Sequence, residues 1–293
     1  MKQIKVKTPA KINLVLEIVG KREDGFHEIQ SIMQAISIFD ILTINVEDDS
    51  SENITISGDN PHIPYNQDNI AFKAAKLFLD KTGIANQKIN IHIEKHIPVA
   101  GGMAGGSSNA AGVLWGLNRL YGSPLTEAEL HSLAAKLGSD VNFCLVGGNC
   151  SATSRGEIIQ PLSTPELAFM AIKPAKLFIS AKEAYERYAA LPAKPAAKNF
   201  EKMKEKLLQT KITDEIANLL NNHLEDAILP AYPAITRAKQ FLHDCGCKSV
   251  LMSGSGPSVF GICMPDTTFS SSPDGFELFK AVSIRHGVIE LTD

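Results

Sequence analysis

Four of the six residues from 101 to 106 are glycine, within the run Pro98-Val99-Ala100-Gly101-Gly102-Met103-Ala104-Gly105-Gly106-Ser107-Ser108. Such a composition between polar stretches would pass for a flexible linker. Its flanks, however, are patterned. Lys88 to Glu94 alternates through Ile89, Ile91 and Ile93, the period of a half-buried strand. Beyond the run, Ala110, Val113, Leu114, Leu117 and Tyr121 recur at helical spacing. A glycine turn fixed between a strand and a helix has a physical use. Without Cβ atoms, successive backbone N–H groups converge on one anion, and the helix adds unpaired N–H groups and the positive end of its dipole. Ser107 and Ser108 can cap that helix, or offer hydroxyls to a phosphate or its Mg²⁺. No Gly-Lys-Ser/Thr follows, and G-x-G-x-x-G is absent, so neither the P-loop nor the dinucleotide fingerprint applies.

The rest of the chain predicts an α+β protein. Residues 2–20 read as a strand in which Ile12, Leu14, Leu16 and Ile18 line one face. Lys21 to Gly25 is a polar turn, bent at Asp24-Gly25. Further strands are expected at 42–46 and around Ile54 and Ile56. A helix fits 69–82, with Asp68 or Asn69 as N-cap and Gly83 after its end. Thr126 and Glu129 form a capping box ahead of Leu130, Leu133 and Leu137, and Gly138 ends that helix. From 174 to 248 the pattern is mainly helical, with an exposed Ala/Lys/Pro-rich loop at 189–198. A strand–turn–strand follows over 250–262, and the tail after Pro265 carries no clear pattern. The expected division is 1–152 and 153–293.

Composition excludes more than it assigns. Hydrophobic residues make up 44% of 293, enough for a sizeable core. The net charge of -3, with no basic run, argues against nucleic acid as partner, although placed N–H groups and lysines still bind anionic small molecules. No stretch approaches the roughly 20 apolar residues of a membrane span, and the N-terminus lacks a signal peptide's apolar segment, so a cytoplasmic protein is expected. The five cysteines include no C-x-x-C pair, and Cys245-Gly-Cys247 is poorly spaced for zinc. Reduced, packed thiols are expected.

Three segments carry a family resemblance. Gly102-Met103-Ala104-Gly105-Gly106-Ser107-Ser108-Asn109-Ala110-Ala111 resembles the second motif of the GHMP kinases, with one more glycine. Pro9-Ala10-Lys11-Ile12-Asn13-Leu14, followed by Asp24-Gly25-Phe26-His27-Glu28-Ile29, resembles the first motif, in the form of the branch that phosphorylates a diphosphocytidyl alcohol. Gly254-Ser255-Gly256-Pro257-Ser258-Val259-Phe260-Gly261 resembles the third. All three lie in the family's order between positions 9 and 261.

The resemblance implies a two-domain GHMP kinase fold with ATP and substrate in the interdomain cleft, and ATP with Mg²⁺ at Pro98 to Ser108. It makes Asp140, in Gly138-Ser139-Asp140-Val141-Asn142-Phe143, the base that orients and deprotonates the acceptor hydroxyl. Lys11 would steady negative charge developing at the transferred phosphoryl. Without the resemblance, Asp140 would read as a helix N-cap and Lys11 as a solvated strand charge. On a substrate carrying cytidine diphosphate, Phe26 would stack on the cytosine and His27 would hydrogen-bond its edge. Tyr185, in Ser180-Ala181-Lys182-Glu183-Ala184-Tyr185, would cover the other face. A stacked base contributes roughly 1–3 kcal/mol. Asn13 would reach a polar group of the substrate. Two residues depart from the branch: Phe26 where tyrosine is commoner, and Ala181 where threonine is frequent. Two alternatives compete. The Phe26-His27 pair argues against a homoserine or mevalonate kinase, and the retained Lys11 and Asp140 argue against a silent nucleotide-binding regulator.

Overall fold

The computed structural model describes residues 2–48, 53–207, 213–264, 267 and 271–292. β1 (Lys2–Lys21) and β2 (His27–Asp48) form a long antiparallel hairpin. Its pairing slips at Pro9/Ala10, Asn13/Val15 and Ile18/Gly20, and such bulges bend and twist a ribbon. One hairpin can therefore wall more than one core. Its outer half packs Ile4, Val6, Leu42 and Ile44 under helices, while Ile12, Leu14, Ile32 and Ile36 enter a second core. The strand expected at 2–20 is present, but 10–18 is buried on both faces, with Lys11, Asn13 and Glu17 inside.

β3 (Asn53–Gly58) is followed by α1 (Ile70–Thr82), which Asn69 rather than Asp68 caps, accepting from the Ala71 N–H at 2.9 Å. Gly83 ends it at φ 69°. β4 (Gln87–Glu94) pairs with β2 and β3 and leads through the glycine run into α2 (Gly105–Leu120). α3 (Glu127–Leu137) carries the Thr126–Glu129 capping box, and α4 (Val141–Val146) precedes β5 (Asn149–Thr153) and β6 (Ile158–Leu162).

The second half contains β7 (Ala168–Pro174), α5 (Ala181–Ala189), α6 (Phe200–Leu207), α7 (Thr213–Asn218), β8 (Asn221–Asn222), α8 (Glu225–Ile228) and α9 (Pro233–Asp244). It closes with β9 (Ser249–Met252), β10 (Val259–Cys263), β11 (Phe276–Val282) and β12 (Ile289–Glu290). β7, β9, β10 and β11 form a four-stranded sheet in the order β11-β7-β10-β9. The other strands belong to the first sheet, ordered β12-β1-β2-β4-β3, with β5, β6 and β8 joined to it.

The first sheet therefore runs past the expected boundary at 152, because β6 pairs with β5. It is also re-entered from the tail, where β12 pairs with Val6 and Lys7 of β1. Among the described residues all five cysteines are free, and no helix is long and apolar enough to cross a membrane.

Candidate active site

Between β4 and α2 the chain takes left-handed backbone at Ala100 (φ 48°), Gly102 (φ 73°) and Ala104 (φ 57°). Gly102 is required there by a second constraint: a Cβ would lie 2.0 Å from the Ser253 carbonyl oxygen. Ser253 Oγ donates to the Gly102 carbonyl at 3.0 Å, and the Ser258 N–H donates to that of Gly101 at 3.3 Å. The two glycine-rich segments, far apart in sequence, thus meet backbone to backbone. Asn222 steadies the second of them, donating to the Met252 and Gly254 carbonyls at 2.8 Å each.

Helix α2 begins at Ala104 with no side-chain cap, so its first-turn N–H groups keep their donor capacity for an outside acceptor. A cavity of about 420 Å³ lies against Pro98, Val99, Ala100, Gly101, Gly102, Ala104 and Gly105 to Ser107. Met103 and Ser108 do not line it. Met103 is buried in the core, with its carbonyl accepting from the Lys11 N–H at 3.1 Å. Ser108 Oγ donates to the Pro9 carbonyl at 2.6 Å. These two residues tie the loop to β1. Ser107 borders both this cavity and a larger one, and its hydroxyl has no hydrogen-bond partner among the described residues.

A buried carboxylate beneath the loop escaped the sequence reading. Asp40 is fully buried and accepts from the His96 and Ile97 N–H groups at 2.8 Å each and from Asn109 Nδ2 at 2.8 Å. It also pairs with Lys95, whose ammonium burial pushes down while Asp40 opposes the shift. One carboxylate thereby joins β2, the entry to the loop and the start of α2. The available signal was Asn109, which the second motif contains. Asp40 and Lys95 stand alone in the sequence, with no spacing that marks them.

Lys11 and Asp140, 129 positions apart in the chain, come together at the junction of the sheets: Lys11 Nζ lies 3.4 Å from Asp140 Oδ2. Lys11 is only 4% exposed, so it is not a solvated strand charge. Asp140 makes no side-chain cap to α4, so its carboxylate is left for the cleft, where it is partly exposed. Asn13 Oδ1 accepts from Lys11 Nζ at 2.7 Å. Gly254 closes over the pair, where a Cβ would approach Lys11 Nζ to 3.3 Å and Asn13 Oδ1 to 3.5 Å.

The larger cavity, about 800 Å³, contains Lys11, Asn13 and Asp140 at one end and Phe26, His27 and Tyr185 at the other. The turn before β2 holds Phe26 outward. Asp24 accepts from the Phe26 N–H at 3.1 Å, and Arg22 binds Asp24, Glu28 and Ser154. Phe26 is 52% exposed, too exposed to be a core residue. Its ring faces Arg155, whose guanidinium carbon lies 4.9 Å from the ring centre. Tyr185 stacks instead on His27, with ring centres 5.1 Å apart and planes at 19°. Burial, then the charges of Lys21 and Lys194, lower the His27 pKa, so near neutral pH the ring offers one donor and one acceptor. Burial and the Asp140 charge raise that of the Tyr185 phenol. Sequence reading missed Arg155, Lys21 and Lys182, cations along the same wall, because scattered charges carry no spacing signal.

Comparison with known proteins identifies the family. Residues 69–148 match the GHMP kinases N terminal domain, and residues 196–276 match the GHMP kinases C terminal domain. A 4-diphosphocytidyl-2-C-methyl-D-erythritol kinase of Alkaliphilus metalliredigens is 40% identical over 89% of this chain and 88% of its own length. A crystal structure of a 4-(cytidine 5'-diphospho)-2C-methyl-D-erythritol kinase superposes with a TM-score of 0.72 at 28% identity, covering 96% of this chain and 99% of that one. A homoserine kinase from Cytophaga hutchinsonii superposes with a TM-score of 0.76 at 20% identity over 99% of this chain and 98% of its own. That likeness concerns the fold alone, so shape does not choose between acceptors.

Proposed function

The chain belongs to the GHMP kinase family, and from that premise we propose that it phosphorylates the 2-hydroxyl of 4-diphosphocytidyl-2-C-methyl-D-erythritol with ATP, in non-mevalonate isoprenoid precursor synthesis. One observation carries the choice of acceptor. A single cavity of about 800 Å³ holds the Lys11–Asp140 pair at one end and two aromatic rings with a neutral histidine at the other. Homoserine or mevalonate has no base to meet Phe26, His27 and Tyr185. The enzyme would act in the cytoplasm on a small molecule, with neither nucleic acid nor membrane as partner.

The chemistry follows from the placement. Asp140 accepts the proton of the acceptor hydroxyl as its oxygen bonds to the γ-phosphorus and the bridging oxygen leaves with ADP. Lys11, held by Asn13, stabilises the charge that develops on the transferred group. The N–H groups of the glycine run and of the first turn of α2 bind the triphosphate. Mg²⁺ would neutralise phosphate charge, and the Ser107 hydroxyl, which borders both cavities, would be one of its ligands. Among the described residues no three His, Cys, Asp or Glu side chains form a metal cage, which suits an ion that takes most of its ligands from phosphate oxygens and water. In an ATP turnover assay comparing the diphosphocytidyl alcohol with homoserine and mevalonate, only the first is expected to be phosphorylated. Preferred turnover of either other alcohol overturns the assignment.

A further inference from the structure

We propose that Ser31, which lines neither cavity, is a positioning residue for phosphoryl transfer: it fixes the orientation of the Asn13 amide, and through it the Lys11 ammonium beside Asp140. The proposal rests on the roles of Lys11 and Asp140 proposed above. Its basis is a chain of buried hydrogen bonds whose direction can be deduced. Ser31 Oγ lies 2.6 Å from the Val15 carbonyl oxygen, which can only accept. A hydroxyl has one proton, so toward Asn13 the same oxygen can only accept. Asn13 must then turn its NH₂ to Ser31, at 2.8 Å. That leaves Oδ1 facing Lys11 Nζ, at 2.7 Å, and Lys11 Nζ stands 3.4 Å from Asp140 Oδ2. With the amide reversed, an NH₂ would confront the ammonium with no acceptor between them.

The arrangement depends on an irregularity in the hairpin. β1–β2 pairing skips a residue between Asn13 and Val15, with Asn13 opposite Met33 and Val15 opposite Ile32. The slip brings the side chains at 13 and 31 and the carbonyl at 15 into one cluster across strands that would otherwise keep them in regular ladder positions. Ser31 and Asn13 are both buried, 0% and 2% exposed, so water does not replace a lost partner freely. A serine that merely satisfied its own hydroxyl would need only the Val15 carbonyl. Its second bond gives it a route to the reacting atoms.

The test is steady-state kinetics on Ser31→Ala, Asn13→Ala and the double variant, with Asp140→Asn as a reference. Ser31→Ala is expected to lower kcat by about 10-fold or more, as misplacement of a reacting group does, with the KM for ATP unchanged. In the Asn13→Ala background the same change is expected to be nearly silent, because the two act in series. Ser31→Thr restores turnover while the equally bulky Ser31→Val does not, and this pair decides the matter should the alanine variant fold poorly. Equal activity of the Thr and Val variants, or an undiminished Ser31→Ala effect without Asn13, overturns the proposal. Full activity of Ser31→Ala with Asp140→Asn inactive overturns the role of Ser31 alone. Full activity of Asp140→Asn removes the site itself.

Discussion

The end of the cleft proposed to hold the phosphates is built from backbone, whereas the end expected to hold the base is built from side chains. At the first, Gly102 approaches the Ser253 carbonyl too closely for any Cβ, and Asp40 and Asn222 act on main-chain groups beneath it. At the second, Phe26 is 52% exposed on a turn and touches Arg155 through its ring face. A backbone site serves a ligand common to many enzymes, and it fails if one atom is added. A side-chain site can exchange residues without moving the chain. The Lys11–Asp140 pair joins the two ends and belongs to neither.

The largest effect is therefore expected at the junction. Asp140→Asn keeps the shape and removes the proposed base, and turnover should fall by roughly 10² or more, with little change in KM for either substrate. Rate measurements within a few-fold of wild type would place the base elsewhere. The backbone end comes next. Gly102→Ala meets both a left-handed φ and the Ser253 carbonyl, and the conformational strain alone costs about 1–3 kcal/mol. Denaturant unfolding should register that loss together with weaker ATP binding. Gly106 is the contrasting position, because its Cβ would meet only Ile70 Cγ2, at 3.5 Å. Gly106→Ala should keep stability within about 0.5 kcal/mol while calorimetry shows reduced ATP affinity. Gly105 cannot make this separation, since a Cβ there would lie 2.6 Å from the buried Lys95 Nζ.

The same contrast explains what the sequence could reveal. A backbone site leaves glycines behind, so the run at 101–106 and the turn at 254–256 were legible, and so was the strand–loop–helix order around the first. Asn69, Gly83 and the Thr126–Glu129 box were readable because capping is local. Asp40, Lys95 and Asn222 were not. Their partners lie across the fold, and a lone charged or amide residue in or just after a strand has no period to betray it. That β6 and β12 join the first sheet from beyond residue 152 was hidden, because short strands pair by tertiary contact rather than by composition. Bulges in β1 were equally hidden, although they bring Asn13 and Ser31 together.

At the side-chain end the expected effects are smaller and selective. Phe26→Ala should weaken binding of the diphosphocytidyl alcohol by roughly 1–3 kcal/mol, the range for a base-stacking aromatic. Phe26→Tyr should be nearly silent, and His27→Ala should weaken the same substrate. ATP affinity should not respond to any of the three. Lost ATP affinity with intact acceptor binding would reverse the two ends of the comparison.

The smallest effect lies behind both ends, where Glu17 of β1 holds the start of α6. Its buried carboxylate accepts from the N–H groups of Lys198 and Asn199 at 2.9 Å each, that of Phe200 at 3.3 Å, and Asn221 Nδ2 at 3.0 Å. Burial alone would raise its pKa, but these hydrogen bonds together lower it below the ordinary 4.5. The sign follows from that direction. Below 4.5 the unfolded chain binds the proton first, so the stabilisation is present in full above 4.5 and is lost as pH falls through the folded-state pKa. Glu17→Gln removes the charge facing a helix N-terminus and should cost about 1 kcal/mol of unfolding free energy at pH 7, the usual scale for a lost cap. The gap between variant and wild type should narrow as pH drops below 4.5. Urea unfolding at a series of pH values measures it. A gap that stays constant into strong acid would mean that shape, not charge, anchors α6. Because Glu17 lines neither cavity, both KM values should stay unchanged at neutral pH, and a shift in either would tie this anchor to the cleft.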